Sequence, residues 1–253
     1  MKSIWTGAIG FGLVNIPVKL YSASQESTLD LDMLDKHDLS HIKFQRINES
    51  TGKPVQWKDI VKGYLYKDNY VVLSDKDFEK ASPEKTKLIN ITSFIQEDEV
   101  DSIYYETPYY LEPQKGGDKA YVLLREALEK SGKAGFGSFV LRNKEHLCLI
   151  KPYEQVLVLN KIRFQEEIRD VKEITLPKSK LKSDEIKMAL SLIDQLSDKF
   201  DISRYKDTYS SELLKHIKAK STGKPVKTPH MRVTHRKSTD LLTQLKASLK
   251  KAS

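Results

Sequence analysis

The stretch Ile4–Ser24, IWTGAIGFGLVNIPVKLYSAS, decides the fold. Val14, Ile16, Val18 and Leu20 alternate with polar or small residues, the period of an extended chain buried on one face. Residues 3–22 therefore read as strand, turn, strand, with Pro17 marking an edge or a kink. A charged start before an apolar run also suggests a signal peptide. Gly7, Gly10, Gly12, Asn15 and Pro17 interrupt that run and no small-residue cleavage site follows, so strands are expected instead.

Further along, the same period recurs. Residues 60–73 predict a hairpin turning at Lys67-Asp68-Asn69, and 41–48 alternate imperfectly before a Gly52-Lys53-Pro54 turn. Residues 88–96 and 101–111 are β-branched and aromatic. Three apolar runs follow at 136–142, 146–151 and 155–164. Val156-Leu157-Val158-Leu159 is apolar on both faces, which predicts a central strand of a barrel or sandwich. Two stretches have a helical period instead. Residues 119–130 place Ala120, Leu123, Leu124, Ala127 and Leu128 on one face and stop at Gly132. Beyond a linker at 176–182, Ser183 or Asp184 caps a helix reaching Phe200, and 203–219 continue helically. Residues 220–238 lack apolar periodicity. Thr239–Lys250 aligns Leu242, Leu245 and Leu249 in a helix too short to persist alone in water.

The chain has 253 residues, of which 39% are hydrophobic and 31% charged, a globular balance with a polar bias. Lys and Arg number 43 against 35 acids, a net charge of +8. The excess is local: residues 215–253 hold 11 bases and the single acid Asp240, leaving the other 214 residues at −2. Such an arm suits a polyanion, nucleic acid before anionic lipid, while a solvated tail is the bland alternative. A smaller excess of +3 lies at 36–76, interleaved with Tyr64, Tyr66 and Tyr70. One cysteine, Cys148, excludes an intrachain disulfide, fits a reducing cytoplasm, and sits in an apolar run as a small core residue.

Catalytic constellations are missing. The Gly-Lys pairs at 52–53 and 223–224 are followed by Pro where a phosphate-binding loop needs Ser or Thr, and Ile47 and Lys218 stand where its upstream glycine belongs. Gly132, Gly135 and Gly137 follow a helix rather than a strand, which excludes a dinucleotide fingerprint. His37 and His41 have helical spacing with Asp38 between them, thin support for a metal. The acidic runs at 97–99 and 166–167 read as solvated faces. No enzyme activity, cofactor or metal is expected.

Long blocks carry a more specific signal. Beside 4–24 these are FQRINESTGKPVQWKDIVKGYLY at 44–66, YYLEP at 109–113, KAYVLLREALEKSGKAGFGSFVLRNKEHLCLIKPYE at 119–154 and KFDISRYKDTYSSELLKHI at 199–217. Together they resemble the bacterial Ku proteins of non-homologous end joining, over essentially the whole chain. The resemblance implies a mainly β core at 1–180, a Ku-type β-barrel with an extended bridging arm at about 28–76. A helical C-terminal region at 181–219 and a basic flexible tail at 220–253 would follow. It further implies a cytoplasmic, nucleoid-associated homodimer, ring-shaped, that binds double-stranded DNA ends in double-strand break repair. It would recruit and stimulate an ATP-dependent DNA ligase, through the helices at 184–200 and 201–217. Phosphate-contacting candidates are Lys43, Arg46, Lys53, Lys58 and Lys62 in the arm, Arg142 and Lys144 on the barrel, and Lys224, Lys227, Arg232, Arg236 and Lys237 in the tail. Some family members carry a cysteine pair near Asn48–Gly52. This chain has none, so no zinc is expected there. A general DNA-coating protein acting through its tail is the alternative.

Overall fold

The computed structural model describes residues 1–81, 87–223, 243–245 and 248. The chain divides into two compact units, one made of residues 1–26 and 32–170, the other of 27–31 with 171 onward.

In the first unit seven strands close a barrel. They are β1 (Trp5–Phe11), β2 (Val14–Ser22), β5 (Leu88–Gln96), β6 (Tyr105–Pro113), β7 (Lys133–Leu141), β8 (Lys144–Tyr153) and β9 (Val156–Ile162), in the order β1-β2-β6-β9-β8-β7-β5. The last gap is closed by a parallel pairing of β5 with β1, Ala8 opposite Leu88 and Gly10 opposite Asn90. Three of the four alternating residues are fully buried, Ile16, Val18 and Leu20, with Ile9 across the ladder from Ile16; Val14, beside the β1–β2 turn, is 39% exposed because the barrel does not cover that end of the strand. Pro17 lies in β2 opposite Ala8, and its carbonyl accepts the Gln114 N–H at 2.8 Å. β9 pairs on both sides, with β6 and β8, and Leu157, Val158 and Leu159 are all buried. Cys148 is fully buried, and burial pushes its thiol far above the ordinary range, so it acts as a core side chain.

Helix α2 (Asp118–Ser131) packs on β2, β7 and β8 through Tyr121, Leu124 and Leu128. Gly132 ends it with φ +65°, the left-handed C-terminal geometry that glycine adopts without strain. Close approach sets a second glycine: a Cβ on Gly137 would stand 2.0 Å from the Asn90 carbonyl oxygen, where β5 bulges between Ile91 and Ser93. The Tyr121 hydroxyl donates to the Leu111 carbonyl at 2.6 Å and accepts the Leu157 N–H at 2.7 Å. It thereby satisfies two backbone groups at the end of the β6–β9 ladder.

Between β2 and β5 the chain leaves the barrel. It forms three successive hairpin turns, closed by the Leu34–His41 bridge, the Ile47–Pro54 bridge, and the two-stranded sheet of β3 (Lys62–Tyr66) and β4 (Asn69–Leu73). The expected turn at 67–69 holds, with Lys67 and Asp68 both at positive φ. Helix α1 (Asp75–Ala81) follows. The alternation at 41–48 yields no strand beyond the two bridges, because each side of the segment is drawn into a different turn. His37 and His41 share no helix either, since Leu39 (φ +60°) bends a turn between Asp35 and Ser40.

The second unit contains α3 (Ser183–Leu196) and α4 (Thr208–Ser221). α3 stops four residues short of the expected Phe200. The Ser197 hydroxyl bonds back to the Ile193 carbonyl at 2.8 Å and Asp198 takes the Lys199 N–H at 2.7 Å, so both divert the backbone from the helical ladder. The Ser183/Asp184 cap also shifts: Lys182 occupies that position and its N–H donates to Glu185 Oε2 at 2.7 Å. The helix expected over 203–219 instead begins at Thr208. Asp201 closes a separate 3-10 turn at Ile202–Arg204, and Asp207 accepts the Ser210 N–H as the cap of α4. Ser27 Oγ donates to Asp207 Oδ2 at 2.9 Å, and Ser210 Oγ donates to the Ser27 carbonyl at 2.9 Å. Of the helix expected at 239–250, only Thr243–Leu245 and Ser248 lie among the described residues, and these are helical.

Candidate nucleic-acid interface

From Ser24 to Ala81 no residue is buried. This is unusual for a segment with so many apolar side chains. Phe44 is 82% exposed and Trp57 72%. The arm thus presents both its bases and its aromatics outward.

Its charges are arranged unequally. Three of its acids are engaged in closing turns. Asp35 Oδ1 accepts the His37 N–H at 2.7 Å, and Asp38 Oδ1 accepts the N–H and hydroxyl of Ser40 at 2.9 and 2.7 Å. Asp77 receives both groups of Ser74. These donors hold the Asp38 and Asp77 carboxyls below the usual carboxylate range. By contrast Lys43, Arg46, Lys53, Lys58 and Lys62 make no ion pair among the described residues. Two of these five cations lean on aromatic rings. The Arg46 guanidinium lies 4.5 Å from the Trp57 ring centre and the Lys62 ammonium 4.8 Å from that of Phe78. In the second hairpin Val55 N–H bonds to Arg46 O, and Asn48 N–H to Lys53 O, at 2.8 and 2.9 Å. Opposed residues share a face, so Arg46 and Lys53 project to the same side of the bridge, and the Trp57 ring lies against Arg46 from the following 3-10 turn. Asn48 Oδ1 accepts the N–H groups of Ser50 and Thr51, both at 3.0 Å, and Gly52 turns with φ +65°. A hydrogen-bonded turn thus occupies the place where some family members have cysteines.

On the barrel, Arg142 and Asn143 form the β7–β8 turn with φ of +53° and +66°. Arg142 is exposed and makes no ion pair among the described residues. Lys144 is different: Glu167 Oε1 lies 3.3 Å from its ammonium. The Phe164 N–H and then Lys144 hold the Glu167 carboxyl below its ordinary range. Lys151 and Lys161 are similarly bound, to Glu97 and Glu106. Arg142 and Lys144, two positions apart, therefore differ in how free their charges are to meet an anion. Lys224, Lys227, Arg232, Arg236 and Lys237 lie outside the described residues.

Lys67 counts among the arm's bases in the sequence but not among its phosphate-contacting candidates. It stands at the tip of the β3–β4 hairpin, its ammonium 5.3 Å from the Tyr66 ring centre, without an ion pair among the described residues. The signal available was the hairpin turn itself, which presents its first residue outward. Among the described residues no group of three or more His, Cys, Asp or Glu side chains could hold a metal, and no helix is long and apolar enough to cross a membrane.

Residues 10–188 match the model of the Ku70/Ku80 beta-barrel domain. The non-homologous end joining protein Ku of Cupriavidus necator is 43% identical over 226 residues, covering 87% of this chain and 67% of that protein. Its counterpart from Opitutus terrae is 42% identical over 87% of this chain and 80% of its own length. That of Bacillus subtilis is 37% identical over 98% of this chain and 82% of its own length.

Proposed function

Because the chain belongs to the Ku family, we propose that it binds the ends of double-stranded DNA, without sequence preference, as a homodimeric ring in non-homologous end joining. The observation that carries this reading is the arm, whose lysines and Arg46 make no ion pair among the described residues and whose apolar side chains those residues leave uncovered. Two such arms from two copies would bury Phe44, Tyr64, Tyr70 and their neighbours against one another, since a lone two-stranded hairpin is marginal in water. Lys43, Arg46, Lys53, Lys58, Lys62 and Arg142 would then face phosphates. Phosphate contacts hold the duplex in place without reading its sequence. Lys144 would contribute less, because Glu167 already neutralises it. The basic segment with Lys224, Lys227, Arg232, Arg236 and Lys237 would add counterion release.

The second unit supports the remaining part of the proposal. α3 leaves Ile186, Leu190 and Ile193 half exposed along one stripe, a surface of the kind that packs into a partner's groove. We assign it, with α4, to recruitment of an ATP-dependent DNA ligase. The protein's own contribution is binding and positioning; the chemistry is the ligase's.

The test compares one duplex as a linear fragment and as a covalently closed relaxed circle, titrated by gel shift at physiological salt without divalent ions. Stable binding to the linear form alone is expected. Equal binding to both would refute threading and favour a DNA-coating protein.

A further inference from the structure

A cleft of about 740 Å³ opens beside the barrel where β6 and β9 part. Its chemistry is the reverse of the arm's. Tyr110 and Tyr153 stack at 6.5 Å with 30° between their planes. Tyr21 lies opposite Tyr110 in the β2–β6 ladder and donates its hydroxyl to Glu112 Oε2 at 2.6 Å. Three carboxylates line the space, Glu112, Asp118 and Glu154, together with Val122, Val156 and Leu111; no Lys, Arg or His side chain does, and the one cation at the lining is the α-ammonium of Met1, which leaves the acids in excess. Lys19, across the ladder from Glu112, makes no ion pair with it. The floor is set by Tyr121, whose hydroxyl is fully engaged by the backbone, so the cleft is preformed.

We propose that this cleft docks a partner protein through a cationic segment in which an arginine or lysine adjoins an apolar side chain. Charge complementarity selects that occupant. Polyanions are repelled by the three carboxylates, and a neutral apolar segment would leave those carboxylates beside its buried surface without a counter-charge. A guanidinium laid on the Tyr153 or Tyr110 face gains from the ring quadrupole and meets Glu154 or Glu112 at its edge, while the neighbouring apolar side chain covers Val122 and Val156. Residues 1–214 carry a net charge of −2, so the cleft's acids answer a cation, while the arm's local excess of +3 answers the DNA.

The test is selection of phage-displayed random heptapeptides on the full chain, with the E112Q/E154Q variant as counter-target. Enriched sequences should pair Arg or Lys with an apolar neighbour. A synthetic copy of one should bind roughly fivefold more weakly for each carboxylate removed and roughly tenfold more weakly to Y153A. Binding of a linear duplex by E112Q/E154Q should equal that of the parent, which keeps the result separable from the DNA reading. Enrichment that is the same on parent and variant, or sequences without a cation, would overturn the proposal. So would protection of the Tyr153 ring from nitration in the chain alone. Protection rising with concentration would assign the cleft to a second copy, and protection lost on deleting 224–253 would assign it to the chain's own basic segment.

Discussion

The double substitution R46Q/K53Q tests the arm most directly. Both side chains project from one hairpin face and neither has an acid partner among the described residues, so neutralising them removes phosphate contacts without freeing a carboxylate. Each contact contributes about 0.9 to the slope of log affinity against log salt. In a homodimer the double variant loses up to four contacts, and the slope should flatten by about 3.6. Raising salt from about 50 to 200 mM should then weaken the variant roughly a hundredfold less than the parent. Fluorescence anisotropy of a blunt-ended duplex across that range reads the slope. R46K keeps the charge and should leave the slope unchanged, whereas loss of the planar stack on Trp57 costs only affinity. K144Q should flatten the slope far less, because Glu167 already holds that ammonium. A slope unmoved by R46Q/K53Q, or moved more by K144Q, would refute the assignment of the arm as the phosphate-binding surface.

Three further outcomes concern the barrel. G137A should destabilise it by about 1–3 kcal/mol in urea unfolding, since the added methyl meets the Asn90 carbonyl and β5 must shift. Y121F removes one hydroxyl that serves two buried backbone groups, and should cost about 1–3 kcal/mol in the same assay with the barrel still formed. His146 is held below its ordinary value of 6.5, by burial first and then by Lys161 and Lys144 against the opposing Glu106. Protonation therefore favours the unfolded chain: stability should be full above pH 6.5 and fall as pH drops below it, levelling off beneath the lowered folded value. Thermal melting of H146Q should show a smaller loss over that interval.

Local chemistry was legible where neighbouring residues decide it. Val156–Leu159 announced a strand flanked on both sides, Gly132 a helix end, and Lys67-Asp68 a hairpin turn. Ser197, Asp198, Asp201 and Asp207 also act locally, yet they broke a helical period that looked continuous through Phe200 and Tyr205. Their side chains compete for backbone groups in a way that apolar spacing does not register. Long-range features lay beyond periodicity. The parallel closure of β1 on β5 joins residues about 80 positions apart; periodicity left a barrel or a sandwich open, and only the family resemblance chose the barrel. The arm's bases were named through the family resemblance, since an excess of +3 by itself reads as a solvated face. Their lack of ion pairs, and the contrast between Arg142 and Lys144, depend on where Glu167 folds back.

The strands flanking the arm have a topological consequence. β2 ends and β5 begins on either side of β1, at the same rim of the barrel. A single proteolytic nick in an exposed arm hairpin would thus leave one piece carrying β1 and β2 and another carrying β5 to β9. These pieces remain zipped by the β1–β5 and β2–β6 ladders. The barrel is in this sense a two-part object whose parts meet along two seams, and separately produced fragments split within the arm have the complementary edges needed to reassemble it.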